Sequence, residues 1–163
     1  MRDPFAIREI PQTPGVYCLL GYSARGAYAA YVGIGGNLRV RVSQHLEYGN
    51  SSVTTGASAV ALDANQISGC QWWTHDSLSD RDQLSAFEIL AFEELNPVLR
   101  SRGGVKQSAL DLSRDPQFRE WAIKLLANPS GQVAFPGIIE LASEIRELKQ
   151  RVQALEQIKT GKK

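Results

Sequence analysis

The chain has 163 residues, 43% of them hydrophobic and 21% charged, which supports one well-formed core but not two large domains. Apolar runs of only a few residues exclude a membrane span. An acid within the first four residues, Met1-Arg2-Asp3-Pro4, argues against a secretory leader, so a cytoplasmic location is expected.

The net charge of +1 conceals two opposed halves. Residues 1–99 hold six Arg against ten acids, a net of −4, and residues 100–163 hold twelve Lys or Arg against seven acids, a net of +5. Near-neutrality therefore does not exclude nucleic acid, whose salt-dependent grip would come from residues after 99 or from a second subunit. Two cysteines, Cys18 and Cys70, are too few for a disulfide scaffold or a structural zinc site.

Pro11-Gln12-Thr13-Pro14-Gly15 is a turn-rich entry into extended structure. Gly15 to Tyr22 is apolar and β-prone, Ser23 to Gly26 reads as a hairpin connection, and Ala27 to Gly33 as the returning strand. After Gly35-Gly36, Asn37 suits an N-cap for a helix over 38–46. Leu38, Val42 and Leu46, spaced by four, form its buried stripe. Residues 49–66 read as a loop with one short helix, and 67–74 as a third strand. Ser79 or Asp80 caps a helix over 81–95, which Asn96-Pro97 terminates. Residues 100–106 are a basic loop, and Asp115-Pro116 opens another short helix ended by Asn128 to Gly131. These elements predict an α+β fold: a small antiparallel three-stranded sheet flanked by helices, followed by a C-terminal helical extension.

Residues 138–155 carry a heptad pattern with Ile138, Ile145 and Val152 at a and Leu141, Leu148 and Leu155 at d. Such a set favours a parallel homodimeric coiled coil, with Glu144 facing Lys149 and Arg151 facing Glu156 of the partner helix. The other reading is an amphipathic helix packed on its own domain.

Three groups could carry chemistry. On a helical wheel Glu88 falls among Leu84, Ala91, Phe92 and Leu95, so its carboxylate sits on an apolar face and calls for an arginine or a metal ion. Asn37, Arg41 and His45 share one helix face, either an anion site or a solvated surface. Tyr17 and Tyr31 lie on paired strands, as packing partners or as phenols activated by a nearby cation. Trp72 and Trp73, on an open strand, are candidates for base stacking, although adjacent residues face opposite sides and at least one belongs to the core.

Pro11-x-x-Pro14-Gly15-Val16-Tyr17, followed by the run Tyr31-Val32-Gly33-Ile34-Gly35-Gly36-Asn37-Leu38-Arg39-Val40-Arg41-Val42, resembles the GIY-YIG nuclease superfamily. It is most similar to the catalytic module of bacterial excision-repair incision nucleases. Family members place an arginine ten residues after the second motif tyrosine, here Arg41, and many place a histidine four further on, here His45. The family's metal-binding glutamate stands nine residues before a proline, the spacing of Glu88 and Pro97. The position where the family usually has an asparagine is Arg100, and Ile34 stands where Lys, Ser or Thr is common.

The resemblance implies a nuclease domain over 9–107; the residues after it read as a helical extension packed on that domain over 108–136, the amphipathic or coiled-coil helix over 137–159 and a basic tail over 160–163. It further implies hydrolysis of DNA phosphodiesters with one Mg²⁺ or Mn²⁺ on Glu88. Arg41 would stabilise the transition state, and Tyr17 or Tyr31, with His45, would handle the attacking water. Arg39, Arg41, Arg100, Arg102 and Lys106 would contact the nucleic acid. A catalytically silent nucleic-acid-binding or assembly module of the same fold is the alternative. No recognisable DNA-reading domain follows, which argues against a long specific site.

Overall fold

The computed structural model describes residues 4–23, 26–46, 67–99, 104–135 and 148–152. In chain order these form α1 (Pro4–Arg8), β1 (Gly15–Ser23), β2 (Gly26–Gly35), α2 (Leu38–Leu46), β3 (Ile67–Trp73), a 3₁₀ turn (Asp76–Ser79), α3 (Arg81–Leu95), α4 (Gln107–Arg114), α5 (Pro116–Leu126) and β4 (Gly131–Ala134). Residues 148–152 are also helical. No helix among the described residues is long and apolar enough to cross a membrane.

The class is α+β, but the sheet has four antiparallel strands rather than three, in the order β2-β1-β3-β4. β1 and β2 pair as a hairpin from Ser23↔Gly26 to Gly15↔Gly35, with a register shift beyond Leu19. Gly26 sits at φ 109°, a left-handed conformation that side chains disfavour and that turns the chain between the strands. β4 pairs with β3 from Gly69↔Ala134 to Trp72↔Gly131.

Each face of the sheet carries its own core. On one face Tyr17, Leu19, Tyr31, Cys70 and Trp72 pack with Ile7 and Ile10 and with the α2 stripe Leu38, Val42 and Leu46. On the other, Val16, Cys18, Val32 and Trp73 pack against Leu84, Phe87 and Leu90 of α3 and Ala122 and Leu126 of α5. Fully burying a side chain such as Phe87 or Leu90 contributes about 1.5–3 kcal/mol.

The helix boundaries follow from local chemistry. Asn37 Oδ1 accepts from the Val40 N–H at 3.1 Å, the expected cap of α2. Asp80, rather than Ser79, caps α3 by accepting from the N–H groups of Asp82 and Gln83. Asn96 ends α3 in the left-handed region at φ 45°, and the chain then runs along the edge of β2 through Val98 N–H to Ala29 O and Leu99 N–H to Ala30 O. Asp115 caps α5 at the Phe118 N–H, with Pro116 in the first turn.

The edge of β3 is closed, not open. β4 lies along it, Trp72 is only 7% exposed and Trp73 only 1%, and the Trp73 indole donates to Leu126 O at 3.1 Å. Both tryptophans are core residues of opposite faces, so neither is a stacking platform for bases. The expected loop over 49–66 and most of the heptad segment over 138–155 lie outside the described residues.

Candidate active site

Four elements bring the catalytic candidates together. Tyr17 on β1 pairs with Gly33, and Tyr31 on β2 pairs with Leu19, so the two tyrosines are diagonal neighbours on one face. Their ring centroids are 6.1 Å apart. His45 from α2 completes a cluster of three rings, 5.8 Å from Tyr17 and 5.3 Å from Tyr31. Gly33 makes this approach possible, since a Cβ there would stand 2.6 Å from the Tyr17 hydroxyl oxygen and 2.9 Å from Tyr31 Cε1.

The helix face carrying Asn37, Arg41 and His45 is not a solvated one. His45 is buried, and its Nε2 lies 2.7 Å from the Tyr17 hydroxyl. Burial, and then the charge of Arg41, push the imidazole down from 6.5 to about 4, so it is neutral at pH 7 and has one N–H to donate. Its Nδ1 has no hydrogen-bond partner among the described residues.

The two phenols differ. Burial raises Tyr17 well above 10, and the neighbouring Tyr31 adds to the shift. Tyr31 is also raised, by burial and then by the Glu88 carboxylate, but Arg41 and hydrogen bonds with Tyr17 and Arg41 oppose the rise. Arg41 is half-buried, and its Nη1 donates to Oε1 of Gln44 at 3.2 Å. Gln44 is the one residue of this cluster that sequence reading missed. Its only signal was a position three residues after Arg41, on the same side of the helix.

Glu88 belongs to the cluster electrostatically, because its charge raises both phenols. It is not in the middle of the buried face of α3, as the helical wheel suggested. That face is centred on Phe87 and Leu90, both fully buried, while Phe92, Leu95 and Glu88 are half-buried at its margin. The helix packs on the sheet through Phe87, and the Glu88 charge acts on both phenols from that margin.

Glu88 supplies one hard oxygen donor site, suited to Mg²⁺ or Mn²⁺ with water and phosphate oxygens completing the shell. Among the described residues no group of three or more His, Cys, Asp or Glu could hold a metal ion on its own. The donor set thus fits an ion shared with substrate rather than a closed structural site.

The basic candidates are dispersed. Arg39 spends its guanidinium on the fold, donating from Nε to Ile10 O at 2.8 Å and from Nη2 to Arg8 O at 2.6 Å. Lys106 is exposed at the start of α4, 3.9 Å from Asp82. Arg100 and Arg102 lie outside the described residues. No protein-family model, curated protein or solved structure matches the chain.

Proposed function

We propose that the chain is a metal-dependent endonuclease of the GIY-YIG type, hydrolysing phosphodiester bonds of DNA. The observation that carries this reading is the convergence of Tyr17, Tyr31, Arg41 and His45, with Glu88 in electrostatic contact, from four separate elements.

Tyr31 is the better base of the two phenols. It is less buried than Tyr17, and its ionised form receives hydrogen bonds from Arg41 and Tyr17. For Tyr17 to donate to Tyr31, the neutral His45 must donate its Nε2 proton to the Tyr17 oxygen. This orders a chain from His45 to Tyr17 to Tyr31 in which every donor favours the Tyr31 phenolate. Tyr31 then takes a proton from the attacking water as its oxygen bonds to phosphorus and the bond to the leaving oxygen breaks. Arg41 offers its charge to the phosphoryl oxygens in that transition state. A divalent cation held by Glu88 would supply Lewis-acid polarisation of the phosphate.

The heptad segment supports pairing with a second copy. Within the helical stretch 148–152, Leu148 is 58% exposed and Val152 52%, which are d and a positions of the pattern. Parallel pairing of that helix would place two sites on one duplex and add the basic residues after 99 to the grip on phosphates. Light scattering of the full chain against a truncation after Gly137 tests it, a dimer and a monomer respectively being expected.

Nicking of supercoiled plasmid in Mn²⁺ against EDTA tests the nuclease reading. Glu88→Ala, Arg41→Ala and Tyr31→Phe should each abolish cutting while the circular dichroism spectrum is retained. Cutting by Glu88→Ala at the wild-type rate would overturn it. Salt-dependent DNA binding by the wild type with no cutting would favour the silent binding module instead.

A further inference from the structure

Arg41 is engaged on two sides. Its guanidinium favours the ionised form of Tyr31, and its Nη1 donates to the Gln44 side-chain carbonyl at 3.2 Å. The two residues stand three apart on α2, the spacing at which helical side chains meet. Gln44 is half-buried.

We propose that Gln44 is a positioning residue, whose carbonyl fixes the Arg41 guanidinium in one orientation beside Tyr31. The chemistry of the acceptor is part of the argument. An arginine side chain loses much rotamer freedom when it is held in one geometry, and a fixed acceptor supplies that restraint in advance. A carboxylate at this position would restrain it as well, but would also offset the positive charge that Tyr31 and a phosphate require. A neutral amide orients the guanidinium and leaves its charge available. The consequence for cutting rests on the nuclease reading; the restraint itself does not.

The test uses the full chain labelled with ¹⁵N-arginine, the Arg41 side-chain signals being assigned by their loss in Arg41→Lys. In the wild type the Arg41 Nη–H signals should be separate, as expected for slow rotation of a held guanidinium. Gln44→Met, similar in volume but without the acceptor, should merge or broaden them, whereas Gln44→Glu should keep them separate. In the nicking assay Gln44→Met should lower kcat about tenfold with little change in KM, and Gln44→Glu should lower kcat despite its ordered arginine. A residue that only supported the fold would not separate arginine order from turnover in this way. Should Gln44→Met fail to fold, Gln44→Ser, too short to reach the guanidinium, takes its place. Unchanged Arg41 signals in the acceptor-free variant would overturn the proposal, whatever the cutting rates. Loss of arginine order in a protein whose wild type cuts no DNA would uphold the restraint and overturn the nuclease reading.

Discussion

The hydroxyl of Tyr17 and Nε2 of His45, 28 residues apart in the chain, lie 2.7 Å from each other in a fully buried contact. The bond joins β1 to α2. Tyr17→Phe removes the oxygen and leaves the buried imidazole without this partner. The expected loss of stability is about 1–3 kcal/mol, measured by urea denaturation at pH 7.5. A smaller fall in nicking than that of Tyr31→Phe is expected, because Tyr17 acts through Tyr31.

Stability should depend on pH through His45. Burial and the Arg41 charge hold its imidazole at about 4 in the folded protein, against 6.5 for the ordinary group. Between those values the unfolded chain binds a proton that the folded chain does not. The stability is therefore fully present above pH 6.5 and falls as the pH drops towards 4, with a limiting slope of about 1.4 kcal/mol per pH unit. Urea midpoints from pH 7 to 5 should decline in the wild type and flatten in His45→Gln. A wild-type midpoint that does not move over this range would refute the assignment.

The rate of cutting should move in the opposite sense to acid. Burial and the Glu88 charge keep the Tyr31 phenol above its ordinary value of 10, so only a small fraction is ionised near neutrality. The logarithm of the nicking rate in Mg²⁺ should rise with a slope near one between about pH 7 and 9. A flat profile over that range would exclude Tyr31 as the base.

Gly33→Ala addresses the packing of the site directly. The added Cβ would stand 2.6 Å from the Tyr17 oxygen and 2.8 Å from its Cζ, and the ring is fully buried. Overpacking of this kind costs about 1–3 kcal/mol. A lowered urea midpoint together with reduced nicking is expected, whereas a wild-type midpoint would show that the rings can separate freely.

Arg39 provides a contrast with Arg41 on the same helix. Its two hydrogen bonds to the carbonyls of Arg8 and Ile10 tie the start of α2 to the end of α1 and the segment after it. Arg39→Met keeps the aliphatic stem but leaves those carbonyls without the charged donor, at a cost of about 1–3 kcal/mol. The salt dependence of DNA binding should not change. A slope reduced by about one would return Arg39 to the phosphate contacts.

What could be read from the sequence is what local chemistry decides. Asn37, Asp80, Asn96 and Asp115 each bound a helix through a short-range contact, and the Leu38, Val42 and Leu46 stripe is buried as its spacing requires. The features that could not be read depend on distant partners. Gly131–Ala134 has little strand character of its own and is extended because β3 offers an unpaired edge. α4 buries Ala109 and Ser113, residues too small to mark an apolar stripe. His45 follows a polar pattern along α2, and the hydroxyl of Tyr17 together with the two tyrosine rings accounts for its burial. At the site, residue types and their order were legible, while the direction of each hydrogen bond was not.

The late strand β4 has a further consequence, for synthesis and for any shortened form. A Cβ at Gly131 would fall 2.3 Å from Trp72 Cζ2, so the indole lies directly against this glycine backbone, and Ser130 and Phe135 hydrogen-bond β3 on either side. A chain ending near residue 107 would present the backbone of β3 uncovered beside an exposed tryptophan, a ready template for joining the sheets of two molecules edge to edge. During translation the same edge stays open until residues 131–134 leave the ribosome. The strand that completes the sheet is thus also its guard against self-association.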